Sequence, residues 1–451
     1  MIGKIFVFPA LTHRATNMAL LTERFLSMQF NLGLRLLRAF LLFLILTPSL
    51  VSAQVTFTSP LPFGIAQVHG DHADIRLHVA ISGYSNFSYK LSSDVDTSSP
   101  QEGWAQINIH NGIVDTLLTI PKSLRDYSIY WRTGLGPTDT GGIIARLTPG
   151  HIIGIAGQSN AVGHVWPDSG KFVAVPQGDI RMLINNSSWQ QAGEPTDGEG
   201  QGPWIEMANE LYAKIGDTLP IGIVNRAVDG TGLTLSIGSG RWLKNSPDTN
   251  DKMYPNAVDR FRHAGSELEC LTWIQGEADG QGGGVLWNPA AYHTQFGNLI
   301  RNFESDLADT FPVFHLQISG FSGNANSTGA YPIVREAQRV LPPSTIVGTA
   351  IGRPLWDSAF HYTVATYQAV GQMFAGAVLK ELYGINAPMY PPLMPDTVAT
   401  LDSITDGSIK GKYCFSIGWT RAGKPVTLTS LSAFQYFAIG ESGIPVPLYD
   451  T

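Results

Sequence analysis

Residues 152–160 have the sequence IIGIAGQSN, in which an apolar run passes through a glycine into a polar segment. The run predicts a buried strand, and Gly157 predicts a sharp turn after it. Ser159 then stands at the carboxyl end of the strand, where open α/β sheets bind their ligands and where N–H groups of a helix start can face negative charge. Two interpretations are open from this segment alone: Ser159 is a nucleophile, or it caps the helix.

After His151, short apolar runs alternate with amphipathic segments. Strands are predicted at 221–224, 270–274, 313–316 and 346–348. Helices are predicted from Trp204 to Ile215, from Pro289 to Leu307, at 333–340 and from Thr363 to Tyr383, where Gly384 ends the last one. This alternation is typical of an α/β fold with a parallel sheet and helices on both faces.

The flanking regions have a different pattern. Residues 54–148 alternate with period two between clusters of turn residues, which predicts a β-sandwich domain. An α/β domain is predicted at 149–386, and short strands return in a small β segment at 387–451. The sequence therefore predicts three folded parts after an N-terminal region, 1–53.

The N-terminal region resembles an export signal. Arg35 and Arg38 precede the apolar run 39–46, and Val51-Ser52-Ala53 is a small-residue cleavage pattern. We expect cleavage after the last of these residues, a true start at Met28, and a secreted or periplasmic protein. The apolar run is too short to span a bilayer, so no stable membrane insertion is expected.

The charge and the cysteine content of the chain exclude some classes of function. The net charge is −7, charged residues make up only 14%, and no long basic run follows the signal region, so nucleic-acid binding is not expected. The two cysteines, Cys270 and Cys414, could form one disulfide, but Cys270 lies in an apolar run and is predicted to be a buried free thiol. The two cysteines do not have the spacing of a zinc site. The sequence does not indicate the oligomeric state.

An exposed serine needs a base from elsewhere in the fold. His361 lies in the loop between the last predicted core strand and the final helix, and Asp357 in the same loop can orient its imidazole. Donors for an oxyanion are expected from the Ser159 N–H, from the glycine-rich loop around Gly230, and from the amide of Gln275. Each follows a predicted strand, so all can face one cleft.

Together, the segments 157–160 (GQSN), 227–231 (AVDGT), 273–279 (WIQGEAD) and Asp357 with His361 resemble the SGNH-hydrolase superfamily. Within it, the chain is similar to the branch of sialate O-acetylesterases and carbohydrate esterase family 6 acetylxylan esterases, over about residues 150–384. The resemblance implies a three-layer α/β fold and an acetylated carbohydrate as substrate. It also implies a nucleophile at Ser159, a base at His361, oxyanion donors at Gly230 and Gln275, and no metal or organic cofactor.

The sequence departs from that family at three positions. Asp357 and His361 are four residues apart where the family has three, Ile274 replaces a usual histidine, and Asp229 replaces a usual glycine. In some relatives a glutamate in the third segment is the proposed acid, so Glu277 is an alternative to Asp357.

Other residues are candidates for substrate contact because they lie in loops that should border the cleft: Asn160, Trp166, Trp287 and Trp356. Each has a structural alternative, since tryptophans often fill cores and Asn160 could fix the turn at the serine. Glu277 and Asp279 could likewise tie loops together.

The sequence therefore predicts a secreted carbohydrate O-acetylesterase of the sialate type. The alternatives are an acetylxylan or other polysaccharide acetylesterase, a general esterase of the same superfamily, and an inactive carbohydrate-binding relative.

Overall fold

One long strand, β8 (Gly141–Gly157), connects the N-terminal strands with the central sheet. The computed structural model describes residues 54–93, 104–134, 141–165, 174–196, 200–234, 239–281, 289–319, 330–351, 353–357, 360–388, 390, 394–401, 414–421, 424–425, 438–439 and 445–446. The region 1–53, for which an export signal is predicted, lies outside these residues. Among the described residues, no helix combines the length and the apolar character that crossing a bilayer requires.

The central sheet is built around the second half of β8. Its other strands are β9 (Ile180–Ile184), β10 (Ser188–Gln191), β11 (Ile221–Asn225), β12 (Cys270–Ile274), β13 (Val313–Gln317) and β14 (Thr345–Thr349). The strand order is β10-β9-β11-β8-β12-β13-β14, and all neighbours are parallel except the edge strand β10. Ile153 of β8 lies opposite Ile223 on one side and Cys270 on the other. The central strand β8 is thus paired with a neighbouring strand on each side.

Helices cover both faces of this sheet. They are α1 (Ser159–Val162), α2 (Trp204–Ile215), α3 (Met253–Ala264), α4 (Glu277–Gln281), α5 (Pro289–Leu307), α6 (Ala330–Arg339) and α7 (Val364–Tyr383). Ile153 and Ile155 pack with α2 and α7, whereas Ile152 and Ala156 pack with α3, α5 and α6. Because alternate residues of a strand point to opposite faces, a strand apolar on both faces reads as a continuous apolar run.

The N-terminal strands are β1 (Gln54–Ser59), β2 (Ile65–His69), β3 (His72–Ser82), β4 (Phe87–Ser93), β5 (Ala105–Ile107), β6 (Ile113–Pro121) and β7 (Tyr127–Thr133). Antiparallel pairing joins β3 to β6 and β4 to β7, and the start of β8 pairs with β7. One hydrophobic cluster contains residues of β3, β4, β6, β7 and β8. The β-sandwich arrangement itself stays a prediction.

The predicted boundary at 148/149 falls inside β8. Thr148, Pro149 and Gly150 pair in parallel with β2, and the strand continues from His151 into the central sheet. Both parts belong to one compact unit, Val55–Thr451. The change in sequence pattern therefore marks a change of sheet and not a linker.

The C-terminal strands are β15 (Met394–Leu401), β16 (Cys414–Arg421), β17 (Lys424–Pro425), β18 (Ala438–Ile439) and β19 (Pro445–Val446). The first three form an antiparallel sheet, and β18 pairs with β19. These strands fall in the region predicted to be a β segment.

The predicted α/β core is confirmed element by element. The strand predicted at 270–274 is β12, and the final predicted helix is α7, which Gly384 ends in a left-handed conformation. Cys270 is a buried free thiol, as expected. The strands β9 and β10 and the helices α3 and α4 were not predicted from the sequence. In α3, buried polar residues such as Arg260 interrupt the apolar pattern.

A buried ionic network lies at the start of β8 within the central sheet. His151 Nδ1 is 3.1 Å from a carboxylate oxygen of Glu269, and His151 Nε2 is 3.1 Å from one of Asp217. The Tyr383 hydroxyl donates to Glu269 at 2.7 Å. Burial disfavours a charged imidazole, but the bonds and charges of the two carboxylates outweigh it and raise the pKa of His151 to about 9.

We expect His151→Gln to destabilise the fold in a pH-dependent way. The pKa of His151 is above its ordinary value of 6.5 when folded, so its stabilisation is complete below pH 6.5 and is lost as the pH rises through about 9. Chemical denaturation should give a free energy of unfolding lowered by about 3 kcal/mol near pH 6, since breaking a buried ion pair leaves its partner uncompensated.

The difference between parent and variant should shrink towards about pH 10. His110→Gln, at an exposed histidine outside the network, is the matched control. A loss of stability that is the same across this range would contradict the assignment of the charge to His151.

Candidate active site

The site begins where β8 ends. Gly157 has φ +138°, and a Cβ at this position would lie 2.1 Å from the Ile274 carbonyl oxygen, so only glycine fits beside β12. Gln158 is the N-cap residue, and Ser159 is the first residue of α1. The capping interpretation of Ser159 is therefore wrong, because Gln158 occupies that position. Ser159 is 4% exposed, at the carboxyl edge of the sheet.

Asn160 ties the serine segment to the histidine loop. Its Nδ2 donates to the Glu277 carboxylate at 2.6 Å and to the Phe360 carbonyl at 2.9 Å. Its Oδ1 accepts from the Tyr362 N–H at 3.3 Å and from the Tyr367 hydroxyl at 2.9 Å. The side chain is fully buried and all its hydrogen-bonding capacity is used. These bonds give Asn160 the structural role at the turn that is the alternative to substrate contact.

Asn160, which follows Ser159, is hydrogen-bonded to the residues on both sides of His361. The His361 Nδ1 lies 2.7 Å from an oxygen of Asp357, and the other oxygen of Asp357 accepts from the N–H groups of His361 and Phe360. The His361 Nε2 is buried and has no hydrogen-bond partner among the described residues. The imidazole is therefore oriented at one nitrogen and available at the other.

The charge state of His361 follows from its surroundings. Burial and the neighbouring His164 lower the pKa of His361, and the Asp357 carboxylate opposes this without cancelling it. The imidazole is neutral at neutral pH, which is the form that accepts a proton.

Glu277 is brought close to the site but does not bond the imidazole. It lies at the start of α4 with one carboxylate oxygen bonded to Asn160. The other oxygen is buried without a hydrogen-bond partner among the described residues. Burial raises the pKa of Glu277 to about 7, although the bond from Asn160 opposes the rise. Asp357, four residues before the histidine, is the acid that contacts it.

Gln275 occupies a different role from the expected oxyanion donor. Its Nε2 faces three acceptors: Thr231 O at 3.1 Å, Gln158 Oε1 at 3.2 Å and Asp279 Oδ2 at 2.5 Å. Its Oε1 accepts from the Tyr292 hydroxyl. Two amide hydrogens already have three acceptors, and the opposite orientation would place an oxygen against them. No donor of this buried side chain is left for a ligand.

Asp279 holds the neighbouring loop. Its carboxylate accepts from the Leu233 N–H at 2.8 Å and from the Thr234 N–H at 2.9 Å. It is fully buried, so the structural alternative for this carboxylate holds.

Gly230 lies in the loop after β11 with φ +64°, in the left-handed region. The loop reaches the end of β8, because the Val228 N–H donates to the Gly157 carbonyl at 3.1 Å. The Thr231 hydroxyl donates to the Val228 carbonyl at 2.8 Å and closes the turn. The turn that carries Gly230 is therefore fixed against the residue two positions before Ser159.

The sequence analysis missed His164. Its ring stacks on that of His361, with centroids 4.2 Å apart and planes 3° from parallel. Its Nε2 is 2.7 Å from a carboxylate oxygen of Asp229. A signal was available in the sequence: a histidine five residues after the serine, and an aspartate where the similar family has glycine.

Of the three candidate tryptophans, Trp356 is described and is 48% exposed, next to Asp357. Its backbone N–H donates to the His361 carbonyl at 2.8 Å. Trp166 and Trp287 lie outside the described residues.

Among the described residues, one group could offer metal ligands. His69, Asp74 and Glu267 bring one ligand atom each within 4.8 Å of one another. His69 Nε2 lies 3.2 Å from Glu267, which is the distance of an ion pair between β2 and the loop before β12. These residues are distinct from those around Ser159.

The family model described as carbohydrate esterase, sialic acid-specific acetylesterase, matches residues 149–380. A comparison of the sequence with curated proteins gives no match.

Among solved structures, the chain is similar to a carbohydrate acetylesterase from Xanthomonas citri, with 17% identity over 76% of this chain and 79% of that one and a TM-score of 0.55. It is also similar to a protein of Arabidopsis thaliana, with 26% identity over 52% and 99% of the two chains and a TM-score of 0.42. A family two carbohydrate esterase from Cellvibrio japonicus has 14% identity over 73% and 98% and a TM-score of 0.31.

The family match covers just over half of the 451 residues and includes every segment that meets at Ser159 and His361. The resemblance drawn from the sequence is thereby confirmed. The chain belongs to the sialic acid-specific acetylesterase family of carbohydrate esterases, within the SGNH-hydrolase superfamily.

Proposed function

We propose that the protein is a secreted, serine-dependent carbohydrate O-acetylesterase that removes acetyl groups from sugar hydroxyls through an acetyl-enzyme. One observation carries the proposal. The His361 imidazole is bonded to Asp357 at Nδ1 and has a partnerless Nε2 among the described residues. Its loop is bonded, at the Phe360 carbonyl, to Asn160, the residue after Ser159. This is the arrangement that activates a serine for attack on an ester.

In the first step, Nε2 of His361 takes the hydroxyl proton of Ser159 as the serine oxygen attacks the acetyl carbonyl carbon. Asp357 holds the tautomer that presents an unprotonated Nε2 and stabilises the imidazolium that forms. The tetrahedral intermediate collapses, the C–O bond to the sugar breaks, and His361 returns the proton to the leaving sugar oxygen. Water then attacks the acetyl-enzyme by the same route and releases acetate and free Ser159.

The negative charge of the intermediate needs donors. We assign them to the N–H of Ser159, at the start of α1, and to the N–H of Gly230, in the turn fixed against Gly157. Gln275 supports this oxyanion site indirectly, since its amide holds Gln158 and the Thr231 carbonyl in place. Gln158 directly precedes Ser159, and Thr231 directly follows Gly230.

An acetylated sugar is the proposed substrate. The exposed face of Trp356, beside Asp357, offers an apolar surface of the kind that packs against sugar rings. Sialic acid and xylan are the two acetylated carbohydrates that the sequence resemblance favours. Buried Asn160 contributes to neither, because its polar atoms are fully used within the protein.

Ser159→Ala should abolish acetate release, because it removes the attacking oxygen. We expect kcat on 4-nitrophenyl acetate and on acetylated sialic acid to fall by at least about 10⁴-fold. The melting temperature should stay close to that of the parent. Ser188→Ala, on the exposed side of β10, is the matched control and should keep full activity. Near-normal turnover by Ser159→Ala would refute the serine mechanism.

Exchanging one carboxylate for its amide should separate Asp357 from Glu277. Asp357→Asn should lower kcat by about 10³–10⁴-fold, since an amide no longer fixes the productive tautomer of His361. Glu277→Gln keeps an acceptor for Asn160, so we expect a loss of no more than about 10-fold. Steady-state kinetics on the same acetyl ester measures both. The reverse ranking would make Glu277 the acid of the triad.

The pH dependence of kcat/KM should reflect the lowered pKa of His361. The pKa of His361 is below its ordinary value of 6.5, so the imidazole stays neutral to lower pH. The midpoint of the acid limb should therefore lie below pH 6.5. The same limb should persist in Glu277→Gln, which removes the group whose pKa is about 7. A midpoint above 6.5 in both proteins would contradict the assignment of His361 as the base.

A further inference from the structure

A second histidine–aspartate pair lies against the proposed catalytic pair. His164 follows α1, and Asp229 lies in the loop after β11, so the two residues come from different segments of the site. Their contact, from His164 Nε2 to Asp229 at 2.7 Å, parallels that of His361 Nδ1 with Asp357 at 2.7 Å. The two imidazoles face each other at 4.2 Å with planes 3° apart.

We propose that His164, held by Asp229, is a positioning residue of this active site. It packs against the flat face of His361 and sets the lowest pH at which His361 can act as a base. The inference rests on the proposed function, in which His361 accepts the proton of Ser159. It goes beyond that function by adding a second histidine–aspartate pair to the proposed Ser159, His361 and Asp357.

Packing supports the positioning part of the inference. The His361 ring contacts His164 on its face and the Phe360 ring at 4.5 Å in a near-perpendicular arrangement, so rotation of the imidazole out of its plane is restricted. His164 is itself fixed, because its ring nitrogen bonds Asp229 and its backbone bonds the hydroxyl of Tyr367 in α7. The wall behind the catalytic ring is therefore held from two sides.

Electrostatics supports the second part. The charged or titratable groups that face His361 are Asp357 from its own loop, His164 from the segment after α1 and Asp229 from the loop after β11. Glu277 of α4 is bonded to Asn160, which in turn bonds the loop at the Phe360 carbonyl. A proton on His164 puts a positive charge against the ring of His361, which opposes formation of a second imidazolium there.

The consequence is a limit on catalysis in acid. The reaction needs His361 to become an imidazolium when Ser159 attacks. A protonated His164 raises the energy of that state, whereas the Asp229 carboxylate lowers it. His164 thus lowers the pKa of His361 and keeps the base unprotonated to lower pH, at the expense of its basicity.

The test separates the effect of the charge on His164 from the effect of its ring. His164→Phe keeps a flat ring against His361 but has no charge and no bond to Asp229. His164→Gln removes the ring and the charge but keeps a side-chain donor for Asp229. The histidine signals of both are followed by NMR against pH in the full chain carrying Ser159→Ala, so the readout does not require turnover. His110→Phe, at an exposed histidine far along the sequence, is the matched control.

We expect the pKa of His361 to rise in both His164 variants and to stay unchanged in the control. In active protein with Ser159 intact, the acid limb of kcat/KM should move to higher pH in parallel, and His164→Gln should in addition lose more kcat than His164→Phe because the ring support is gone. The Phe variant serves as the check on folding, since it preserves the packing.

Two results would overturn the inference. One is a pKa of His361 that is the same in both variants as in the parent. The other is a rise of this pKa in His164→Gln alone, because the ring would then matter and its charge would not. Either can occur while Ser159→Ala is still inactive, so the proposed function would survive. If Ser159→Ala kept its turnover, the proposed function would fail whatever the titration showed.

Discussion

The side-chain amide of Asn160 is the contact on which the site depends. A serine and a histidine about 200 residues apart in sequence can share a proton only if their loops are fixed to each other. Asn160 does this with four hydrogen bonds, two of them to the residues on either side of His361. Because the amide is buried and its capacity is used completely, displacing the histidine loop would leave buried polar groups unpaired, which is costly.

The sheet supplies the frame for this contact. Parallel strands end at one edge, so the segments after β8, β11 and β12 lie side by side without any contribution from the ligand. Gln275 and Asp279 then hold the ends of these segments together from beneath, through Gln158, Thr231 and Leu233. Gln275 and Asp279 thus fix the positions of the loops around Ser159.

Sequence reasoning predicted most of this frame and part of the site. Continuous apolar runs such as 270–274 identify buried parallel strands, and the shared loop of Asp357 and His361 predicts the contact between them. The true partners of Gln275 could not be predicted, because they depend on which amide hydrogen faces which loop. His164 and Asp229 were missed for a similar reason, since their pairing joins two loops that only the folded sheet brings together.

The strand β8 has a consequence for how this protein can be divided. It leaves the N-terminal strands at Gly150 and enters the core at His151 with no break in its backbone pairing. Cutting the gene at that point would produce two pieces that each expose an unsatisfied strand end, and the core piece would begin inside its own central strand. The N-terminal strands are therefore not a detachable module that evolution or an engineer could exchange while leaving the hydrolytic half whole.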